Sequence, residues 1–126
     1  MDYRKTVNTY LDALDNSDLE GILSLFDKEA FIVSPFLGKL SARDFFPKVI
    51  ASSTQSDITV FDILVSAQDK PRAVGYFHYD WTLKDGTEVS FDCADIFEFT
   101  PEGKFKSMII LYDTYPIRNT VGDKYS

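Results

Sequence analysis

At 126 residues, 44% hydrophobic, 15% aromatic and 26% charged, the chain has the size and mixed composition of one globular domain, which excludes a disordered, collagen-like or coiled-coil protein. A net charge of −7, with Asp and Glu spread along the chain, argues against a nucleic acid or an anionic membrane as partner. Cys93 is the single cysteine, so no intramolecular disulfide forms, and no run approaches the roughly 18 apolar residues of a membrane span. Met1 to Lys5 leads straight into a polar–apolar pattern rather than a secretory signal, and a cytoplasmic location is expected.

Val7, Tyr10, Leu11 and Leu14 fall on one helical face and predict a helix over Asp2 to Asn16. Ser17-Asp18-Leu19-Glu20 has capping-box spacing, and Leu19, Ile22, Leu23 and Phe26 repeat the stripe, so a second helix is expected from Asp18 to Phe26. Ala30 to Ser34 reads as a short strand ended by Pro35 and Gly38. Ser41 caps a third helix, which Pro47 should kink or delay.

From Asp57 the period becomes strand-like. Ile58 to Ala67 is one strand, and Gln68 to Pro71 make a turn. Ala73 to Leu83 and Thr87 to Phe99 form a long hairpin about Lys84-Asp85-Gly86. Thr100 to Gly103 turn again, and Lys104 to Tyr112 is the last strand. One domain over residues 1–118 is expected, with a loose tail over 119–126. Helices first and strands afterwards mean α+β: a curved, mostly antiparallel sheet wrapped around N-terminal helices and enclosing a pocket.

Alternation sorts each strand into two faces. In one, Tyr76, His78, Asp80 and Thr82 share a side opposite Phe77, Tyr79, Trp81 and Leu83. In the other, Asp95 shares a side with Phe91, Cys93, Phe97 and Phe99. A carboxyl among those side chains has two explanations: it is satisfied locally by a backbone amide or a strand end, or it takes a proton and becomes a strong hydrogen-bond donor able to stabilise an oxyanion. His78 and Asp80 are neighbours and can pair as an oriented base, or they belong to a solvated face. One histidine and one cysteine cannot build the usual zinc site. No glycine-rich phosphate loop or nucleophile elbow is present, so no cofactor is expected.

Residues Val7 to Ile22, and Asp95-Ile96-Phe97-Glu98-Phe99 followed by Gly103-Lys104, resemble the bacterial steroid Δ5-3-ketoisomerases of the NTF2-like superfamily. That superfamily also holds SnoaL-like polyketide cyclases, scytalone dehydratase and limonene epoxide hydrolase. The resemblance implies a cone-shaped α+β roll in which Tyr10 and a protonated Asp95 bind a substrate carbonyl oxygen. It further implies that His78, Asp80 and Thr82 point into the cavity, and that Phe77, Tyr79 and Trp81 face outward as a homodimer surface. Ser34, Thr82, Phe91, Phe97 and Tyr112 are then expected against a small apolar ligand. The isomerases place their basic Asp before a Pro after the first short strand, where this chain has Ser34-Pro35. A remaining base would be His78 held by Asp80, acting on a carbonyl compound through an enolate. The alternative is a ligand-binding or dimerisation module without catalysis.

Overall fold

The first apolar stripe forms α1 (Tyr3–Asp15), burying Val7, Tyr10, Leu11, Ala13 and Leu14. A computed structural model describes residues 2–115, and the tail expected after Arg118 lies outside them. The Asp2 carboxylate caps α1 by accepting from the Lys5 amide at 3.1 Å. The helix ends by a different device from the one the spacing suggested. Ser17 takes φ 53° and Asp18 N donates to Ala13 O at 2.8 Å, a left-handed C-terminal cap. Asp18 then caps α2 (Leu19–Ser24), its Oδ1 accepting from Gly21 N at 3.0 Å, so Ser17 is not the cap of that helix.

Phe26, read as the end of the second helix, instead opens β1 (Phe26–Ser34), which runs longer than expected. A short strand β2 (Gly38–Ser41) pairs back onto it, unannounced because its side chains are largely exposed and carry no alternation. Ser41 caps α3 (Ala42–Ala51) as expected, accepting from Asp44 N at 3.1 Å. The helix passes through Pro47 despite the lost amide, held by buried Ala42, Phe45 and Phe46.

Strands β3 (Ser53–Val65), β4 (Arg72–Leu83), β5 (Glu88–Phe99) and β6 (Phe105–Tyr112) follow. Among the described residues they complete a six-stranded sheet in the order β2-β1-β6-β5-β4-β3. All neighbours are antiparallel except β1 and β6, which run parallel. The α+β class is as read from the sequence, with the helices on one side of the curved sheet. At Gly75 that packing is close: a Cβ there would lie 3.1 Å from Val7 Cγ1 and 3.6 Å from Leu11 Cδ1. The missing side chain is what lets α1 lie on β4.

The register of the β4–β5 hairpin overturns the expected assignment of faces. Gly75 pairs with Asp95, Phe77 with Cys93 and Tyr79 with Phe91, and residues directly opposite share a side. Phe77 and Tyr79 therefore point inward and are buried, 1% and 8% exposed. Tyr76, His78, Asp80 and Thr82 point away from the helices. Neither the cavity position of His78, Asp80 and Thr82 nor the outward position of Phe77, Tyr79 and Trp81 holds.

Phe105 anchors the core from β6, stacked on Phe97 with centroids 4.3 Å apart and packed against Phe26 and Tyr10. Truncating this fully buried ring in Phe105→Ala is expected to cost about 3–5 kcal/mol in urea unfolding. The exposed neighbouring substitution Lys106→Ala should stay within about 0.5 kcal/mol of wild type.

Candidate functional site

The hollow between the inward face of the sheet and α1 and α3 has a volume of about 280 Å³. Its walls are mainly aromatic: Phe45 and Phe46 from α3, Phe77, Tyr79 and Trp81 from β4, and Phe91 from β5. Tyr79 and Trp81 are held by serines. The Tyr79 hydroxyl pairs with Ser56 Oγ at 3.0 Å, and the Trp81 indole N–H donates to Ser53 Oγ. Burial pushes the Tyr79 phenol up to about 12, so it stays protonated.

Tyr10 enters from α1 and is 2% exposed. Its ring is fixed edge-on among Phe26, Phe46, Phe97 and Phe105, at centroid distances of 5.2–5.9 Å. Burial first, and the neighbouring Asp95 next, raise its pKa well above the ordinary value, which keeps the O–H a donor. Among the described residues the hydroxyl has no hydrogen-bond partner.

Asp95 is also 2% exposed. Across the ladder it faces Gly75, which has no side chain, and Ile110, which has no polar atom on one. Its one side-chain hydrogen bond among the described residues comes from Cys93 Sγ, which donates to Oδ1 at 3.2 Å. Burial in this apolar surround lifts the carboxyl to about 7, against a smaller lowering by the Cys93 thiol. Among the described residues no fully enclosed side-chain nitrogen or oxygen lacks a partner. The Tyr10 hydroxyl and the second oxygen of Asp95 therefore open on the cavity that both residues line. Two unsatisfied oxygens in one aromatic hollow can hydrogen-bond the oxygen of a ligand.

The other candidates divide. Ser34, Phe91 and Tyr112 line the hollow. Ser34, where the isomerases have their base, accepts from Leu37 N at 3.4 Å in the turn after β1. Phe97 lies behind Tyr10 in the core and is not part of the wall. His78 and Asp80 do pair, Nε2 to Oδ1 at 3.1 Å, but on the outer face. There Asp92 Oδ1 takes His78 Nδ1 at 2.8 Å, and Ser90 donates to Asp80. Hydrogen bonds from Asp92 and then Asp80 raise the His78 pKa, while the Ser90 hydroxyl, ahead of His78, lowers that of Asp80. Neither reaches a cavity ligand. Thr82 is on that same outer side, paired with Gln55 and Glu88.

Trp81, Tyr79 and Phe77 were missed as wall residues, although the signal was available. Counting back from Asp85-Gly86 puts Phe77 opposite Cys93, so the two strands cannot present opposite faces to one cavity. Phe45 and Phe46, together on α3, had no such signal. Among the described residues no group of three or more His, Cys, Asp and Glu side chains is placed to hold a metal ion, and no helix is long and apolar enough to cross a membrane.

A curved sheet closed by N-terminal helices over an aromatic hollow is the NTF2-like architecture, and solved structures share it. The chain is similar to the epoxide hydrolase/cyclase-like enzyme SalBIII of pyran ring formation in the polyether salinomycin: TM-score 0.75, 21% identity, 90% of this chain and 92% of that one. It is similar to an NTF2-like protein of unknown function from Exiguobacterium sp. 255-15, with TM-score 0.73, 19% identity, and 86% and 98% of the two chains covered. AclR, a putative hydroxylase from Streptomyces galilaeus, gives TM-score 0.77 at 15% identity over 98% of this chain and 83% of its own. The chain belongs to the SnoaL-like domain family, whose pattern matches residues 7–108. Among curated proteins there is no match.

The buried carboxyl makes stability depend on pH. Its folded pKa of about 7 lies above the ordinary 3.8, so the native state binds the proton more tightly than the unfolded chain. Stability is then full below about pH 4, falls as pH rises to about 7, and levels off. Asp95→Asn lacks this dependence. Its stability relative to wild type should rise between pH 4 and pH 8 by an amount on the order of 4 kcal/mol, read by urea unfolding at both values.

Proposed function

We propose that the protein binds a small, planar, mostly apolar carbonyl or enol compound by its oxygen, and that Asp95, in its ionised form, takes a proton from the α-carbon to give the enolate and returns that proton to the oxygen, so that ketone and enol interconvert. The observation that carries this reading is the pair of cavity-lining groups, Tyr10 O–H and the second oxygen of Asp95, neither of which has a hydrogen-bond partner among the described residues. A neutral acid and a phenol in a low-dielectric hollow stabilise a developing oxyanion more than water does. A carboxyl near pKa 7 also suits proton transfer at neutral pH. At about 280 Å³ the hollow is at the small end of ligand pockets, which fits a compound of one or two rings. The single buried thiol suits a reducing, cytoplasmic setting.

Binding without turnover is the second reading, favoured by Ser34 in the place of a base and by His78 and Asp80 on the far face. Para-nitrophenol, whose absorbance reports its ionisation, tests the oxygen site. Tyr10→Phe and Asp95→Asn should each weaken it by roughly tenfold to a hundredfold. Unchanged affinity in both variants removes the site. Deuterium exchange at the α-carbon of an unsaturated ketone, present in wild type and lost in Asp95→Asn, separates the enzyme from the binder.

The outer sheet face is proposed as the contact with a second copy of the chain. Leu64, Val74, Ile96 and Ile109 form one cross-strand row, and Asp62, Tyr76, Ala94 and Leu111 the next. Leu64, Tyr76, Ile109 and Leu111 are exposed, 36–50%. On a chain of charge −7 these two rows carry one charged side chain, Asp62 at the β3 end, so they meet their own copy across a two-fold axis with little like-charge contact. Sedimentation should give a dimer for wild type and a monomer for Tyr76→Glu/Leu111→Glu. A monomeric wild type refutes the contact.

A further inference from the structure

We infer that Cys93 is a positioning residue for Asp95: by donating to Oδ1, its thiol makes Oδ2 the oxygen that carries the acid proton and presents it to the cavity. This deepens the proposed oxygen site and rests on it for its functional meaning, though not for its test.

Asp95 has no other way to be oriented from within its own wall. Its cross-strand neighbours are Gly75 and Ile110, and the side chains around it on the same face of β5 are Cys93 and Phe97. A carboxyl with only apolar neighbours would rotate freely about its terminal torsion, which is broad and roughly two-fold. The Sγ–Oδ1 contact of 3.2 Å removes that equivalence. A carbonyl oxygen is a better acceptor than an acid hydroxyl oxygen, so the oxygen that receives the thiol hydrogen is the carbonyl, and the proton resides on the other. Cys93 keeps its S–H hydrogen to donate, because burial and the adjacent carboxyl push the thiol far above its ordinary pKa.

The same hydrogen bond has a second effect. It favours the ionised carboxylate, and so holds the carboxyl lower than burial alone would set it. The ionisable groups facing Asp95 are Tyr10 from α1, Tyr79 from β4, Tyr112 from β6 and Cys93 on its own strand. The residues that α3 and the β1–β2 turn bring to this wall, including Phe36, Phe45 and Phe46, carry no charge. Removing the thiol therefore alters the one side-chain donor the carboxyl has among the described residues and leaves the surrounding charge unchanged.

The experiment is an infrared titration of the protonated-carboxyl band in the ligand-free protein, with Asp95→Asn identifying the band by its loss. In Cys93→Ala the midpoint should move to higher pH, by roughly threefold to tenfold in proton affinity. Cys93→Ser, which restores a donor of similar size, should return it to the wild-type position or below. A merely structural cysteine would shift unfolding without this rescue. A midpoint unchanged in Cys93→Ala overturns the inference. Wild type supplies a second readout should a variant fail to fold: the S–H stretching band should move to lower frequency as Asp95 ionises, and a band that stays fixed through the transition overturns the inference as well. Failure of the oxygen site reads differently. Para-nitrophenol affinity would then be indifferent to Tyr10→Phe and Asp95→Asn, whatever the titration shows.

Discussion

The molecule depends on one pairing constraint, the register of β4 against β5. The Asp85-Gly86 turn, with Gly86 at φ 88°, sets Gly75 opposite Asp95 and Phe77 opposite Cys93. A slip of one residue in β5 would carry Asp95 to the solvent side together with Phe91, Cys93 and Phe97. The same register puts a glycine beneath α1 where the helix packs close, and leaves the carboxyl without a polar neighbour across either ladder. Burial, proton affinity and the openness of the site on one side all descend from that alignment.

Within this frame the chemistry is a matter of environment rather than of a residue motif. The chain has many carboxylates, and Asp95 differs from the rest because it is buried in an apolar surround and, among the described residues, its side chain receives one weak donor. Tyr10 is distinguished by a ring clamped by phenylalanines from β1, α3, β5 and β6, while among the described residues its hydroxyl has no hydrogen-bond partner. On the opposite surface His78 is held between two carboxylates, Asp80 and Asp92, whose hydrogen bonds raise its pKa. Two polar clusters on one pair of strands acquire opposite character because one faces rings and the other faces solvent.

Much of this could be read from the sequence, and the reasons for failure are physical. Asp95 stood out because period-two alternation is strict in a strand, and α1 because its apolar stripe is long. Ser41 was recognisable as a cap because nothing competes with it locally, whereas Ser17 lost that role to Asp18 once the chain needed a left-handed residue to leave α1. β2 carries no alternation to detect. Alternation within β4 alone does not say which of its faces meets the helices; the register across the turn, with Phe77 opposite Cys93 and His78 opposite Asp92, puts His78 outside. The pair Phe45-Phe46 could not be assigned to the hollow, since a helix reveals which face is apolar but not what that face meets.

The parallel pairing of β1 with β6 joins the first third of the chain to its last described strand. Tyr10 likewise finds two of its four clamping rings, Phe97 and Phe105, only near the end of the chain. Contacts so distant in sequence close large loops before they return any stabilisation, which slows folding and makes it cooperative. During synthesis α1 therefore emerges with its phenol uncovered, and the aromatic hollow has no half-built form: its wall closes only after β6 has left the ribosome.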